Sequence, residues 1–298
     1  MSVTVSLVTW RSRRFLPDCL ASVRAQGDLV ADVLVADNVS RDGTPLLLRR
    51  EFPEVSLSIL DRNRGYAVAH NHNFARSRGA YFLALNPDVV LARGALAHMV
   101  RALEGDPGVG AVSARLLSPG GVRLDSAGIA PTPGRTRFVD RGRGALAARY
   151  DLEEDVFGAC GAAALYRSAA LRSVARPGET PFAERFFMYY EDVDLAWRLR
   201  RAGWRTRYVP RARCTHVRGG SGASPAFVEY HLVRNRLWLS LRNASARELL
   251  RELPGLALFE GVKCLQAVRR PHVRAALSDQ VAGIRASLAE RRAAAPGR

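Results

Sequence analysis

The first 90 residues alternate short apolar segments of strand length with segments of helical spacing, and this rhythm limits the fold more than any other feature. Apolar, β-branched runs predict strands at residues 3–9, 32–36, 55–60 and 80–85. Amphipathic spacing predicts helices at residues 15–25, 44–52 and 67–78. Strands that alternate with helices favour a mainly parallel sheet covered by helices, so we predict an α/β fold.

A polar cluster follows each of the four predicted strands. The clusters contain Thr9-Trp10, Asp37-Asn38, Asn63-Arg64-Gly65 and Asn86-Pro87-Asp88. Ligands of parallel sheets bind outside the carboxyl ends of the strands, so the four clusters predict one binding site. The Asp88 carboxylate suits a hard divalent cation. The alternative is that Asp88 caps a helix that begins near residue 92.

Residues 186–203 contain the densest group of chemically active side chains. The aromatic-rich segment Phe186-Phe187-Met188-Tyr189-Tyr190 precedes Glu191-Asp192-Val193-Asp194, and the spacing predicts a helix that Gly203 ends. The helix dipole alone favours acidic residues in a first turn, which is one interpretation. The other is that burial beside the aromatic residues raises a carboxylate's pKa, as a general base requires. Further on, His216 follows a short strand predicted at residues 206–209, and Arg218 precedes a glycine-rich run at residues 219–222.

The chain carries a net charge of +17, and of its 45 basic residues only Lys263 is not arginine. Coding bias explains part of this excess, and nucleic acid, anionic lipid or a phosphorylated substrate are the candidate partners. Residues 232–298 alone carry a net charge of +8. Two interpretations of this segment stay open: an amphipathic helix on an anionic membrane surface, or helices packed on the preceding domain. No apolar run is long enough to predict a spanning helix. Four cysteines without metal-site spacing predict buried free thiols in a reducing cytoplasm.

In their order along the chain these motifs resemble the inverting family 2 glycosyltransferases, which have a GT-A fold, and within them the rhamnosyltransferase-like branch. The resemblance covers about residues 2–220. It implies a catalytic domain at residues 1–222, with a nucleotide-sugar half at about 1–90 and an acceptor half at about 91–222. Residues 223–298 then form a basic helical extension.

The resemblance also implies roles for individual residues. The nucleotide sugar is bound by Thr9, Trp10, Asp37, Asn38, Asn63, Arg64, Gly65, Asn71 and Asn86. Asp88 and His216 hold Mg²⁺ or Mn²⁺, Asp192 is the catalytic base, and Arg218 stabilises the leaving diphosphate. Four further residues either contact the acceptor or hold the residues of the site in place: Glu191, Asp194, Trp197 and Arg198.

The function implied is transfer of a sugar, with dTDP-L-rhamnose as the first choice of donor, to a saccharide, lipid-linked or natural-product acceptor. This places the protein in cell-wall or polysaccharide biosynthesis, in the cytoplasm or at the inner face of the cell membrane. Two other classes are considered, a basic binding module and a non-catalytic partner subunit. No recognisable nucleic-acid motif is present, so no nucleic-acid partner is expected. The oligomeric state is left open.

Overall fold

A computed structural model describes residues 2–132, 137–175, 180–219 and 222–293. Its main feature is one large sheet with helices on both faces. The strands are β1 (Val3–Thr9), β2 (Val30–Asp37), β3 (Ser56–Ile59), β4 (Tyr81–Leu85), β5 (Val89–Leu91), β6 (Val109–Leu117), β7 (Leu124–Ser126), β8 (Ile129–Pro131), β9 (Phe138–Asp140), β10 (Glu154–Val156), β11 (Ala163–Arg167) and β12 (Arg205–His216). The helices are α1 (Leu16–Arg24), α2 (Thr44–Glu51), α3 (Gly65–Arg76), α4 (Ala95–Glu104), α5 (Ser168–Val174), α6 (Glu191–Arg201), α7 (Pro225–Asn243), α8 (Ala246–Ala267) and α9 (Pro271–Ala293). The predicted α/β class is confirmed.

The strand directions bring several carboxyl ends to one edge of the sheet. The strand order is β10-β12-β6-β11-β4-β1-β2-β3, with β5 paired to β12 and β7 to β6. Neighbours among β3, β2, β1 and β4 are parallel, and so are β6 and β12. Because β11 runs antiparallel between β4 and β6, these two strands also point the same way. The ends of β1, β2, β4 and β12 therefore meet, as the sequence predicts.

Apolar cores lie on both faces of the sheet. One core packs α1 and α4 against the central strands, and the other includes residues of α3, α5 and α6. β1 is buried on both faces apart from a partly exposed Val8, and its polar residues Thr4, Ser6 and Thr9 are small and buried as well. The predicted elements in the first 90 residues begin and end within two residues of those observed.

Two local predictions are corrected by the structure. The segment before His216 is not a connection, because β12 continues from Arg205 to His216. Its pairing with β6 is interrupted between Val209 and Arg213, where Pro210 has no N–H to donate, and this break hides the strand in the sequence. Asp88 does not cap a helix, because β5 follows it and α4 begins only at Ala95.

The basic C-terminal segment forms α7, α8 and α9 within the described residues. Trp238 and Leu239 of α7 share a hydrophobic cluster with Phe186 and Trp197, so α7 packs on the preceding domain. The domain boundary predicted between residues 222 and 223 coincides with a change of composition and stays a prediction. Gly220 and Ser221, just before it, lie outside the described residues.

The sequence also makes predictions about the cysteines and about membrane-spanning helices. Cys19, Cys160 and Cys214 are buried free thiols, as predicted, whereas Cys264 is exposed because it lies on the solvent side of α8. Among the helices in the described ranges, none is both long and apolar enough to cross a membrane.

Candidate active site

A cavity of about 440 Å³ lies at the edge where the strand ends meet. Its volume falls within the range of about 300–1,000 Å³ that is usual for small-molecule sites. Ten of the predicted site residues line it: Trp10, Asn38, Asn63, Gly65, Asn86, Asp88, Glu191, Asp192, His216 and Arg218. Residues more than 200 positions apart in the sequence thus meet in one pocket.

Asp88 and His216 form a buried pair at the floor of this cavity. His216 Nε2 lies 3.3 Å from Asp88 Oδ1, and its Nδ1 lies 2.7 Å from Asp125 Oδ2. Although burial alone would lower it, the two carboxylates raise the pKa of His216 to about 9. A histidine held by a carboxylate on one nitrogen is oriented to present the other nitrogen to a ligand.

The residues present fit a divalent cation that is bound together with a diphosphate. Two ligands at about 2.1 Å from one ion lie about 3 Å apart when they are adjacent, which is close to the separation of Nε2 and Oδ1. Within the described ranges, no group of three His, Cys, Asp or Glu residues is arranged to hold a metal alone. Magnesium sites commonly combine one or two protein ligands with substrate phosphates and water.

Arg218 places a cation on the cavity wall. Its guanidinium bonds to Asp125 and Asp140, and these carboxylates keep its pKa above the ordinary value. The backbone of Arg218 has a positive φ of 58°, which is uncommon for a residue other than glycine. Asp125 therefore joins two predicted site residues, because it contacts both His216 and Arg218.

Glu191 and Asp192 are neighbours, and burial raises the pKa of both carboxyl groups. Burial, followed by the charge of Asp192, raises the pKa of Glu191 well above its usual range. Among the described residues, Glu191 Oε2 has no hydrogen-bond partner. Burial raises the pKa of Asp192 only to about 6, because the N–H groups of Gly161 and Val193 donate to its oxygens. Burial therefore favours the protonated form of Glu191, whereas Asp192, with a pKa of about 6, is mainly ionised at neutral pH and able to accept a proton.

Residues 187–190, which lead to these carboxylates, have an unusual backbone. Phe187, Tyr189 and Tyr190 all have positive φ values, between 65° and 71°. Such conformations persist only where the surroundings hold them. The first N–H groups of α3, from Tyr66 and Ala67, donate to the Phe187 carbonyl oxygen at 2.7 and 3.3 Å.

Gly65 permits this close approach between α3 and residue 187. A Cβ at position 65, where φ is +79°, would lie 2.4 Å from the Phe187 carbonyl oxygen. From the other side, Asn235 of α7 donates to the carbonyl oxygens of Phe186, Met188 and Tyr189 at 2.8 to 3.0 Å. Helices from both ends of the chain thus hold the segment that presents Glu191 and Asp192.

Some of the predicted nucleotide-binding residues act through a turn behind the cavity. Thr9 donates to Asp37 Oδ2 at 2.7 Å, and Asp37 Oδ1 accepts the N–H of Ser40, so the buried Asp37 fixes the turn that carries Asn38. The backbone N–H of Arg64 donates to Asn38 Oδ1 at 2.8 Å. Its guanidinium bonds to Asp61 at the surface, so residue 64 joins this turn through its backbone, and its predicted role in nucleotide binding stays a prediction.

Four other predicted site residues are not brought to the cavity. Asn71 donates to Thr180 and to the Phe182 carbonyl oxygen, where it anchors residues 180–184. Trp197 packs in the core, with its ring centre 5.3 Å from that of Phe138. Asp194 and Arg198 form a buried ion pair with an N–O distance of 2.7 Å, so of the two roles that the resemblance implies, contact with the acceptor or support of the site, the second stays as their predicted role.

Asp194 also binds α7, and we expect its replacement to test this attachment. Its second oxygen accepts bonds from Arg242 at 3.0 Å and Asn243 at 2.7 Å. Asp194→Asn leaves two buried arginines without their counter-charge, so the free energy of unfolding should fall by about 3–5 kcal/mol in urea denaturation. Asp155→Asn removes a more exposed partner of arginines and should cost about 1 kcal/mol or less. Equal losses in the two variants would contradict the role given to Asp194.

Sequence reasoning missed residues that complete the site. Asp125 lies in β7, a strand of three residues that carries no motif. Asp140 lies in the segment of residues 128–151, which resembles no motif of the family. Asn235 lies between Arg234 and Arg236 in a basic helical segment, so the sequence carries no signal that it is buried.

Comparisons with known proteins were consistent with this geometry. The model of the family described as "Glycosyl transferase family 2" matches residues 4–174. N-acetylglucosaminyl-diphospho-decaprenol L-rhamnosyltransferase of Mycobacterium tuberculosis is 32% identical over 245 residues, which cover 74% of this chain and 78% of that protein.

Solved structures with the same architecture are much less similar in sequence. GalNAc-T7, determined with UDP, GalNAc and Mn²⁺, aligns with a TM-score of 0.60 at 13% identity over 81% of this chain and 48% of that one. The mannosyltransferase PcManGT of Pyrobaculum calidifontis, determined with GDP-Man and Mn²⁺, gives a TM-score of 0.54 at 21% identity over 97% of this chain and 86% of that one. These neighbours confirm the predicted GT-A fold.

Proposed function

Because the chain belongs to glycosyltransferase family 2, we propose that it is a metal-dependent, inverting glycosyltransferase that uses a nucleoside-diphosphate sugar. The observation that carries the proposal is the composition of one cavity. An ionised carboxylate, Asp192, shares it with the buried pair of Asp88 and His216 and with the cation of Arg218. A general base, a diphosphate-binding pair and a positive charge are the groups that a single displacement from a nucleotide sugar requires.

In this proposal the base and ribose of the donor bind beside Trp10, Asn38 and Asn63. All three line the cavity, and the Asn38 amide is held by the Arg64 N–H and the Gly65 carbonyl oxygen. An amide fixed in this way can discriminate between hydrogen-bond donors and acceptors of a base, because a mismatched partner leaves a buried polar group unpaired.

Asp88 and His216 would hold a divalent cation, Mg²⁺ or Mn²⁺, against the diphosphate. When bound, such an ion neutralises the charge that develops on the leaving diphosphate. Asp125 would keep His216 in the required orientation through Nδ1. Arg218 lines the same cavity and would add a second positive charge near the leaving group.

Asp192 would accept the proton of an acceptor hydroxyl while that oxygen attacks the anomeric carbon of the donor. The new C–O bond forms as the bond from the anomeric carbon to the diphosphate oxygen breaks, and the nucleoside diphosphate leaves with the electron pair. The proton then passes from Asp192 to solvent. Cys160 also lines the cavity, but burial raises the pKa of its thiol well above the usual range, so it is a poor nucleophile. A single displacement inverts the anomeric configuration.

For the substrates we propose dTDP-L-rhamnose and an acceptor sugar that is linked through a diphosphate to a lipid. This proposal is supported by the name of the Mycobacterium tuberculosis relative and by its coverage of three quarters of the chain. Residues 1–90 would form the donor half and residues 91–222 the acceptor half, in a cytoplasmic step of cell-wall or polysaccharide biosynthesis. In its protonated form, which burial favours, Glu191 would donate a hydrogen bond to an acceptor oxygen.

The cavity favours a transferase over the two other classes. A basic binding module does not require two buried carboxylates with raised pKa values beside a histidine and a carboxylate. A non-catalytic partner subunit would not need to keep a carboxylate that is ionised near neutral pH at the centre of the pocket. We therefore retain the enzyme as the proposed function.

The pH dependence of transfer should follow the ionisation of Asp192. Only the deprotonated carboxylate accepts a proton, and its pKa is about 6, so kcat/KM should fall about tenfold per pH unit as the pH drops below 6. Above about pH 7 kcat/KM should no longer rise with pH, because nearly all of Asp192 is then deprotonated. The measurement is the rate of nucleoside diphosphate release at saturating metal and donor. A rate that stays constant from about pH 5 to pH 8 would contradict the assignment of Asp192 as base.

The experiment that tests the proposal is a donor screen with a metal series. Nucleoside diphosphate release is measured with dTDP-L-rhamnose, UDP-galactofuranose and common UDP- and dTDP-hexoses, each with a lipid-diphosphate-linked N-acetylglucosamine acceptor. We expect release from dTDP-L-rhamnose that requires Mg²⁺ or Mn²⁺. Release from another donor alone would correct the substrate, whereas no release from any donor would contradict the proposed activity.

A further inference from the structure

The outer face of α8 exposes an apolar strip, and we propose that this strip binds the surface of an anionic lipid bilayer. The strip consists of Leu250, Leu253, Leu258, Val262, Leu265 and Val268, which are between 43% and 80% exposed. At 1.5 Å per residue it is about 27 Å long. The inference goes beyond the transfer reaction and does not depend on it.

The exposed residues of the strip contrast with those of an ordinary surface helix. From Leu253 to Val268 the exposed positions hold only apolar residues, glycine, proline and Cys264, and no charged side chain. The usual arrangement, with charged residues outside and an apolar face inside, is thus reversed over about four turns. Exposed apolar patches of this kind mark sites of contact with a partner or a membrane.

The charged groups of α8 lie on the side that faces the protein or at its beginning. Glu248 forms the N-terminal capping box with Ser245, and Glu252 is buried. Glu260 pairs with Arg236 of α7 at 2.9 Å, and the same guanidinium lies over the ring of Phe259. All three acidic residues of α8 are therefore kept away from the strip.

Exposed arginines lie at both ends of the strip. Arg247 and Arg251 are exposed near its beginning, and Arg269 and Arg270 follow its end. An apolar face between clusters of arginine is typical of a helix that lies in an anionic membrane interface, where the apolar side chains enter the acyl boundary and the cations meet lipid phosphates.

The same charges argue against a second copy of the chain as the occupant. If two strips packed face to face, a parallel arrangement would place Arg247 of one copy against Arg247 of the other. An antiparallel arrangement would bring Arg247 and Arg251 against Arg269 and Arg270. Both arrangements place arginines against arginines, whereas the negative lipid phosphates of an anionic bilayer would attract the arginines at both ends of the strip.

Vesicle flotation of the full-length protein tests the proposal. We expect the protein to float with vesicles of phosphatidylcholine and phosphatidylglycerol, and to float at least about tenfold less with phosphatidylcholine alone. Leu258→Asp/Leu265→Asp should reduce flotation with the anionic vesicles by about tenfold or more, because both positions lie on the strip. Leu46→Asp/Leu152→Asp makes the same change of charge at exposed leucines outside α8 and should float like the wild type.

Several results would overturn the proposal. One is a wild type that stays unbound with anionic vesicles, and another is a Leu258→Asp/Leu265→Asp variant that floats as well as the wild type. A third is a wild-type dimer, seen by light scattering, that this variant converts to a monomer, since a second copy would then cover the strip. Nucleoside diphosphate release with a water-soluble acceptor should be unchanged in the variant, which separates this test from that of the proposed function.

Discussion

Asp192→Asn should lower the rate of sugar transfer by about 10²–10⁴-fold while donor affinity changes less than about twofold. The amide cannot accept the proton of the acceptor hydroxyl, but it keeps the size of the carboxylate and an oxygen for the N–H of Gly161 or Val193. In the proposed function the donor binds beside Asn38 and Asn63, which this substitution leaves unchanged. The measurements are nucleoside diphosphate release and the calorimetric dissociation constant of the donor.

Glu191→Gln is the matched control for this variant. Because burial raises the pKa of Glu191 well above its usual range and so favours the protonated form, glutamine reproduces the charge of that form and its ability to donate a hydrogen bond. We expect less than about a tenfold loss of rate, far smaller than for Asp192→Asn. If Glu191→Gln were the inactive variant and Asp192→Asn the active one, the two carboxylates would have to exchange their roles.

Removal of the divalent cation should have the second large effect. EDTA should stop transfer, and Mg²⁺ or Mn²⁺ should restore it. Asp88→Asn should lower the rate by at least about 10²-fold at metal concentrations that saturate the wild type, since a neutral amide is a weaker ligand than a carboxylate. His216 would then retain its bond to Asp125, but its neighbour at 3.3 Å would no longer carry a negative charge.

Asp125→Asn separates orientation of the histidine from direct binding of the metal. Asp125 contacts His216 Nδ1 and is not itself expected to touch the ion, so the variant should need about 10–100-fold more metal for half-maximal rate and recover at high metal concentration. Full activity of the wild type in EDTA would contradict the metal-dependent account. An Asp125→Asn variant with the wild-type metal requirement would contradict the role of Asp125 alone.

The strand ends could be predicted because their causes are local. The run at residues 80–85 is apolar since its strand is buried on both faces, residues 3–9 are rich in β-branched side chains, and parallel strands then place their carboxyl ends together. The order of motifs along the chain pointed to the same edge of the sheet, and the structure brings Asn38, Asp88 and Asp192 to one cavity.

The contacts that hold the catalytic segment could not be predicted, because they join distant parts of the chain. Asn235 reaches the backbone of residues 186–189 from 46 to 49 positions away, and Asp125 reaches His216 across 91 positions. Neither residue belongs to a short motif. Conversely, Trp197 and Arg198 lie in a motif whose residues either contact the acceptor or support the site, and the helical period turns both into the interior, away from the cavity.

The sequence allows the basic C-terminal segment either to pack on the preceding domain or to contact a membrane. Because Trp238 and Leu239 are buried, α7 packs on the preceding domain. The exposed leucines lie on α8, which is therefore the helix that we propose to contact the membrane. Composition could not separate the two helices, because both contain leucine and arginine.

The most direct test of the central claim is the anomeric configuration of the product. Transfer from dTDP-L-rhamnose to the lipid-diphosphate-linked acceptor is followed by NMR of the anomeric carbon and proton, with and without EDTA, for the wild type and Asp192→Asn. The account predicts a product with the configuration opposite to that of the donor, formed only with metal and at wild-type rate only with Asp192. A product with retained configuration would contradict a single displacement with Asp192 as the base.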